Sequence, residues 1–301
     1  MFARPLVLCP TDFSEPSRGS LRYAGALAEH FYADLMVLAV DDPFLTEAAA
    51  AAMDEHFLQR QTRGALTTFV NETFATRRPQ VPAIREHMTT GRPAEEIRRC
   101  AEEFTADVIV MSTHGASGVR KLMFGSVTER VLRNTCVPVL VTPGADSGPE
   151  SFEAWMATVK RVLVPVDFSD WTPQQVAIAR GVAEALGVEL LFAHVMPGTG
   201  GTSRLEAHQR LDALLRGVPA DLRPAMTICR GEPAAEIARV AREREANLIV
   251  MGLHSAPNRR QHMGQITYRL LCEAPVLVLA WPPSRPGNTL VTKRTKDVVI
   301  V

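Results

Sequence analysis

The chain lacks net charge: 33 Lys and Arg residues balance 33 Asp and Glu. A broad electrostatic footprint for nucleic acid or an anionic membrane is therefore missing, which leaves room only for a local patch. No apolar run approaches the ~20 residues needed to cross a bilayer. The opening Met1-Phe2-Ala3-Arg4-Pro5 with the short Leu6-Val7-Leu8 is too brief for a secretory core segment. The expectation is a soluble, cytoplasmic protein with no nucleic-acid or membrane partner. Cysteine is sparse: Cys9, Cys100, Cys136, Cys229 and Cys272 are odd in number and include no pair spaced by two residues. Buried or incidental thiols are expected rather than a metal or redox site. Also missing are a P-loop lysine, an acidic metal cluster and a Ser–His–Asp arrangement, so rapid catalysis has no residues to carry it.

What is present is duplicated. The 25 residues from Gly91 to Gly115 align without gaps on Gly231 to Ser255 and agree at 13 positions. Near the start of each copy, Pro10-Thr11-Asp12-Phe13-Ser14 answers to Pro165-Val166-Asp167-Phe168-Ser169. A length of 301 residues suits two domains, each with its own core. The expected limits are 1–143 for the first domain, 144–158 for a turn-rich linker, 159–282 for the second domain and 283–301 for a tail outside the repeat. That tail opens with Pro282-Pro283-Ser284-Arg285-Pro286-Gly287 and ends Val298-Val299-Ile300-Val301, which could pair with a sheet edge or fray.

Hydrophobic periodicity predicts strands at Leu6–Cys9, Leu35–Val40, Ala83–Met88, Val108–Met111 and Val137–Val141. Helices are expected over about Ser17–Tyr32, Ala94–Phe104 and Ser126–Asn134, with a helix-rich stretch from Thr46 to Thr76. The second half repeats the order: strands Val162–Pro165, Leu190–Val195, Ala225–Cys229, Leu248–Met251 and Val276–Ala280 alternate with helices at Thr172–Leu186, Arg204–Leu215, Ala234–Glu243 and Gln265–Cys272. Continuous apolar strands alternating with helices predict an α/β fold, an open parallel sheet with helices on both faces, twice over. The first half carries about fifteen extra residues between Asp41 and Thr90, assigned to the alanine-rich Ala48–Met53.

One passage carries chemistry. Val108-Ile109-Val110-Met111 runs into Ser112-Thr113-His114-Gly115, and nine residues later Gly125-Ser126-Val127-Thr128 opens a helix. Small residues let a backbone approach an anion, and a helix start offers unpaired N–H groups. A plain strand–turn–helix passage fits the spacing equally well. If the first and fourth strands are neighbours, Asp12 faces this cradle across a crevice at the carboxyl ends of the strands, where ligands of open sheets sit. Asp12 suits a ribose ligand and a helix cap equally. His114 and His254 recur at matched positions but have no orienting partner in the sequence, so a structural or rim role is expected. Arg120, Lys121, Arg259, Arg260 and His262 are loop cations of the kind usually solvated. Glu96 and Glu236 follow Pro93 and Pro233 in a first helical turn, where capping accounts for them.

Together these motifs, ending with Val137-Pro138-Val139-Leu140-Val141, resemble the universal stress protein family in its tandem form. The resemblance implies Rossmann-like, adenine nucleotide α-hydrolase-like domains whose first and fourth strands lie side by side. It implies an adenine nucleotide, ATP foremost and with or without Mg, held by Pro10, Thr11, Asp12, Val40, Ser112, Gly115, Gly125, Ser126, Val127 and Thr128. The Val40 contact is by backbone to the adenine. The ligand would act as a conformational switch in a stress response; the alternatives are an interaction scaffold that has lost nucleotide binding, or a slow ATP hydrolase. Pairing of the two halves through their final strands, or a homodimer, also follows from the family. Ser112 stands where the family has a glycine, a change expected to be tolerated. In the second half the run is Gly252-Leu253-His254-Ser255, then eight residues, then Gly264-Gln265, with Pro257 inside. A cradle one residue shorter moves its donors by up to ~3.5 Å, more than a hydrogen bond forgives. A weak or empty second site is expected, although Asp167 remains.

Overall fold

A computed structural model of the chain describes residues 4–52, 57–113, 125–144, 147–196, 203–216, 224–253, 263–273 and 276–282. The chain divides between Trp155 and Met156 into two compact units.

In the first unit β1 (Leu6–Thr11), β2 (Asp34–Asp41), β3 (Ile84–Thr90), β4 (Val108–Ser112) and β5 (Val139–Thr142) form a parallel sheet in the order β3-β2-β1-β4-β5. Helices α1 (Glu15–His30), α2 (Pro43–Ala52), α3 (Phe57–Thr73), α4 (Pro93–Glu103) and α5 (Ser126–Asn134) connect the strands. Val108, Ile109, Val110 and Met111 are all buried, as a strand covered on both faces must be. The second unit contains β6 (Arg161–Pro165), β7 (Glu189–Met196), β8 (Ala225–Arg230), β9 (Ala246–Gly252) and β10 (Leu277–Trp281). Their order β8-β7-β6-β9-β10 is the same, again parallel. Its helices are α7 (Thr172–Leu186), α8 (Arg204–Leu214), α9 (Pro233–Glu243) and α10 (Gln265–Glu273). The first unit's excess length corresponds to α2; among the described residues the second unit has α8 alone between β7 and β8. No helix among the described residues is long and apolar enough to cross a membrane.

Many boundaries differ from the sequence expectation by one or two residues, and two of them do so for identifiable local reasons. Helix α1 starts at Glu15 rather than Ser17 because Ser14 caps it, accepting from Ser17 N, and Pro16 suits the first turn. Strand β5 starts at Val139 rather than Val137. Thr135 Oγ1 accepts from Val137 N at 2.9 Å and donates to Val137 O at 2.7 Å, which turns that residue out of the ladder. Glu96 lies in the first turn of α4 as expected, but its carboxylate is engaged by side chains: it accepts from Thr89 Oγ1 at 2.7 Å and from Arg99, which holds its carboxyl below the usual range. Its Cγ lies 2.8 Å from where a Cβ on Gly91 would stand, so only glycine fits the turn beneath it. Glu236 likewise holds Arg239, and the second unit's cap is Glu232, which accepts from Ala235 N at 2.9 Å. Cys9 and Cys100 are buried and burial pushes both thiols up, consistent with inert core residues.

The larger difference is α6 (Phe152–Met156), in the stretch expected to be linker. Phe152 stacks on the His30 ring at 3.6 Å, and Trp155 meets Tyr23 edge-on at 5.4 Å. The strap leading into it is held on α1 as well: Arg22 donates to Ser147 O at 3.1 Å. Burial lowers the pKa of His30 from 6.5, opposed in part by Glu153. The folded first unit therefore takes up this proton less readily than the unfolded chain. The stability linked to His30 is complete above pH 6.5 and is lost as pH falls below it towards the folded value. The first unit's stability, read from amide exchange protection in β1, should thus drop between pH 7.5 and pH 5 by more in the wild type than in His30→Phe. Parallel profiles for the two proteins would contradict this.

Candidate functional site

Strand β1 pairs with β4 at Val7↔Val108 and Leu8↔Ile109. Carried along parallel strands, that register sets Thr11 and Asp12 level with Ser112 and Thr113. The acidic turn and the small-residue turn therefore leave the sheet side by side at its carboxyl edge.

The acidic turn is built by its own side chains. Thr11 Oγ1 accepts from Phe13 N at 3.0 Å and lies 3.0 Å from Ser17 Oγ. Asp12 Oδ1 accepts from Ser14 N at 3.2 Å and also from the Ser14 hydroxyl. Asp12 is thus not the cap of α1; it fixes the orientation of the residue that is. Between them Phe13 has φ +63°, and in the second unit Phe168 has φ +59°. A bulky residue in the left-handed region costs roughly 1–2 kcal/mol, and such outliers concentrate at functional sites. Sequence reasoning passed over Phe13; the recurrence of the Asp12-Phe13-Ser14 run was the available signal. The Phe13 ring, partly exposed, meets Phe69 of α3 edge-on at 5.7 Å.

On the other side of the crevice, Ser112 is buried and its carbonyl accepts from Thr128 Oγ1 at 2.8 Å. Thr113 O accepts from Gly125 N at 2.7 Å. These two bonds tie the start of α5 to the end of β4. They engage the Thr128 hydroxyl and the Gly125 amide in holding the helix start against the strand. A Cβ on Gly125 would lie 3.0 Å from Thr113 O. Gly125 is the N-cap and provides no side-chain cap bond. The first-turn amides of Ser126, Val127 and Thr128 have no intrahelical acceptor, and Ser126 is exposed. Gly115, with His114, Arg120 and Lys121, lies outside the described residues. Val40 stands one residue past the last β1–β2 pairing, Thr11↔Ala39, and pairs with Thr89 on its other side. Its backbone is thereby at the carboxyl edge, level with Asp12 just past Thr11.

The matching place in the second unit carries different side chains. Asp167 Oδ1 accepts from Ser169 N at 3.0 Å and Thr172 Oγ1 at 3.1 Å, so the turn persists. Where the first unit has Ala39, the second has buried His194, whose Nδ1 lies 2.7 Å from Val166 O. Phe168 packs on the His194 ring at 4.4 Å, and the Arg210 guanidinium lies 4.4 Å from the Phe168 ring. Leu253, fully buried, replaces Thr113. His254, Ser255, Pro257, Arg259, Arg260 and His262 lie outside the described residues. Among those described, no group of three or more His, Cys, Asp and Glu could hold a metal ion.

The family model described as universal stress protein family matches residues 5–143 and again 158–282. The chain belongs to the universal stress protein family. Universal stress protein MJ0531 of Methanocaldococcus jannaschii is 33% identical over 141 residues, 45% of this chain and 79% of the relative. Universal stress protein MJ0577 of the same organism is 25% identical over 155 residues, 47% of this chain and 96% of the relative. The crystal structure of a universal stress protein from Archaeoglobus fulgidus matches 93% of this chain and 99% of its own with a TM-score of 0.70. At 24% identity that likeness shows the fold. This universal stress protein is thus tandem, with two open, mainly parallel α/β domains.

Proposed function

We propose that the first unit binds an adenine nucleotide, ATP foremost, and that the ligand acts as a conformational switch in a stress response rather than as a substrate. The observation that carries this reading is the adjacency of β1 and β4, which sets the Asp12 turn beside the uncapped start of α5. An anion at a helix N-terminus meets oriented N–H groups and a favourable dipole. In this reading the Ser126 hydroxyl and the first-turn amides hold phosphates, the Asp12 carboxylate accepts from ribose hydroxyls, and the Val40 backbone meets the adenine. If Mg accompanies the ATP, it adds charge neutralisation at the phosphates. A switch rather than a turnover enzyme is supported by a sequence without a P-loop lysine or a nucleophile–base pair. Phosphate release should stay well under about one turnover per second, the low end of ordinary enzymes.

The second unit is proposed to hold no nucleotide, because buried His194 stands at the place of Ala39 and Leu253 at that of Thr113. Isothermal titration of the full chain with ATP tests both parts. One site per chain is expected. Asp12→Ala, which removes a charged acceptor worth about 1.5–3 kcal/mol, should weaken binding roughly 10- to 100-fold. Asp167→Ala should leave the isotherm unchanged. Two sites, or equal effects of the two substitutions, would refute the assignment. No heat and no thermal shift with the wild type would favour the interaction scaffold.

A further inference from the structure

The duplication exposes an unmatched surface on the second unit. In the first unit, the chain leaving β5 at Pro143 does not depart. Residues 147–155 lie along α1: Gly148, with φ +76°, comes so close that an added Cβ would stand 2.4 Å from Gly19 O, and Trp155 packs on Tyr23. The repeat sets Gln174 at the place of Gly19, Ile178 at that of Tyr23, and Leu253 and Pro282 at those of Thr113 and Pro143. These residues, with Trp171 and Trp281, line a shallow, solvent-open cleft of ≈ 260 Å³ on the second unit. Trp171 is 39% exposed there. A mostly apolar cleft with two tryptophans at its wall offers further chain a place to bury apolar side chains.

We infer that this cleft is the docking site of the chain's own C-terminal segment Gly287–Val291, laid along α7 as residues 147–155 lie along α1. Three observations carry this. The chain stands at the cleft five residues before the segment, because Pro282 is one of the lining residues. Nineteen residues follow Pro282, enough to cross the helix. The spacing repeats too: Gly287 lies five residues after Pro282 as Gly148 lies five after Pro143, and Val291 lies nine after Pro282 as Phe152 lies nine after Pro143. Gly287 would supply the left-handed turn and close backbone approach that Gly148 supplies in the first unit. Leu290 and Val291 supply the apolar cover.

Amide hydrogen exchange on the full chain tests this, with Ile249 and Val250 of β9 reporting that the second unit is folded. In the wild type, the Leu290 and Val291 amides should exchange at least roughly tenfold more slowly than in an unstructured peptide, independently of protein concentration. Gly287→Val, which lies in the segment rather than in the unit, and Trp171→Asp, in the cleft wall, should each abolish that protection while β9 stays protected. Exchange at the unstructured rate in the wild type would overturn the inference. So would protection that survives both substitutions, or protection that grows with protein concentration and so comes from a second copy.

Discussion

Replacing Gly125 by valine is expected to abolish the heat of ATP binding, a loss of at least roughly 100-fold in affinity, or about 2.7 kcal/mol. The backbone does not forbid the substitution, since φ −58° and ψ 124° suit valine. Space does. The new Cβ would stand 3.0 Å from the Thr113 carbonyl, which Gly125 N itself holds at 2.7 Å. Relief requires the start of α5 to move off β4, and the valine methyls then crowd the first-turn amides that the phosphate is proposed to use. With ATP at 100 times its dissociation constant, the wild type should gain about 2.7 kcal/mol of stability, and Gly125→Val should gain almost none. Gly64→Ala is the control. A Cβ there meets nothing within 4 Å, so binding should be unchanged while α3 gains up to about 1 kcal/mol. Undiminished ATP heat in Gly125→Val would sink the proposed phosphate position.

The second large effect falls on stability. Trp155→Ala should cost the first unit about 3–5 kcal/mol, the range for deleting a buried Trp or Phe. Trp155 is 3% exposed and meets both Tyr23 and Phe152 edge-on. Because a two-unit chain does not unfold in one step, amide exchange of Leu8 and Cys9 in β1 is the suitable measurement. Ala154→Gln, on the exposed face of the same helix, should stay within about 0.5 kcal/mol. A Trp155→Ala cost below about 1 kcal/mol would mean that α6 is linker after all and not part of the first unit's core.

These two residues mark where the sequence could be read and where it could not. Val108–Met111 announces a buried parallel strand by being apolar at every position, and the 13 matches between the two copies announce the duplication. Gly125 was legible as a helix start because glycine followed by Ser126 is a local signal. Trp155 was not, because Ser147, Gly148 and Pro149 read locally as a linker. Their attachment to α1, more than 120 positions away in the chain, has no local signature. The place of the Thr128 hydroxyl was illegible for the same reason. Its partner, the Ser112 carbonyl, lies across a loop, and no pattern of residue types says which way a hydroxyl turns.

The sequence by itself determined the duplication, the alternation of strands and helices, and the family. Periodicity and turn chemistry act between near neighbours, and a repeat displays them twice. Tertiary structure alone decided the strand pairing that sets Asp12 beside α5, the use of the Thr128 hydroxyl and the Gly125 amide in holding β4, and the packing of Phe168 on buried His194 in the second unit. Those outcomes depend on which distant groups meet, and that is set by closing the whole sheet.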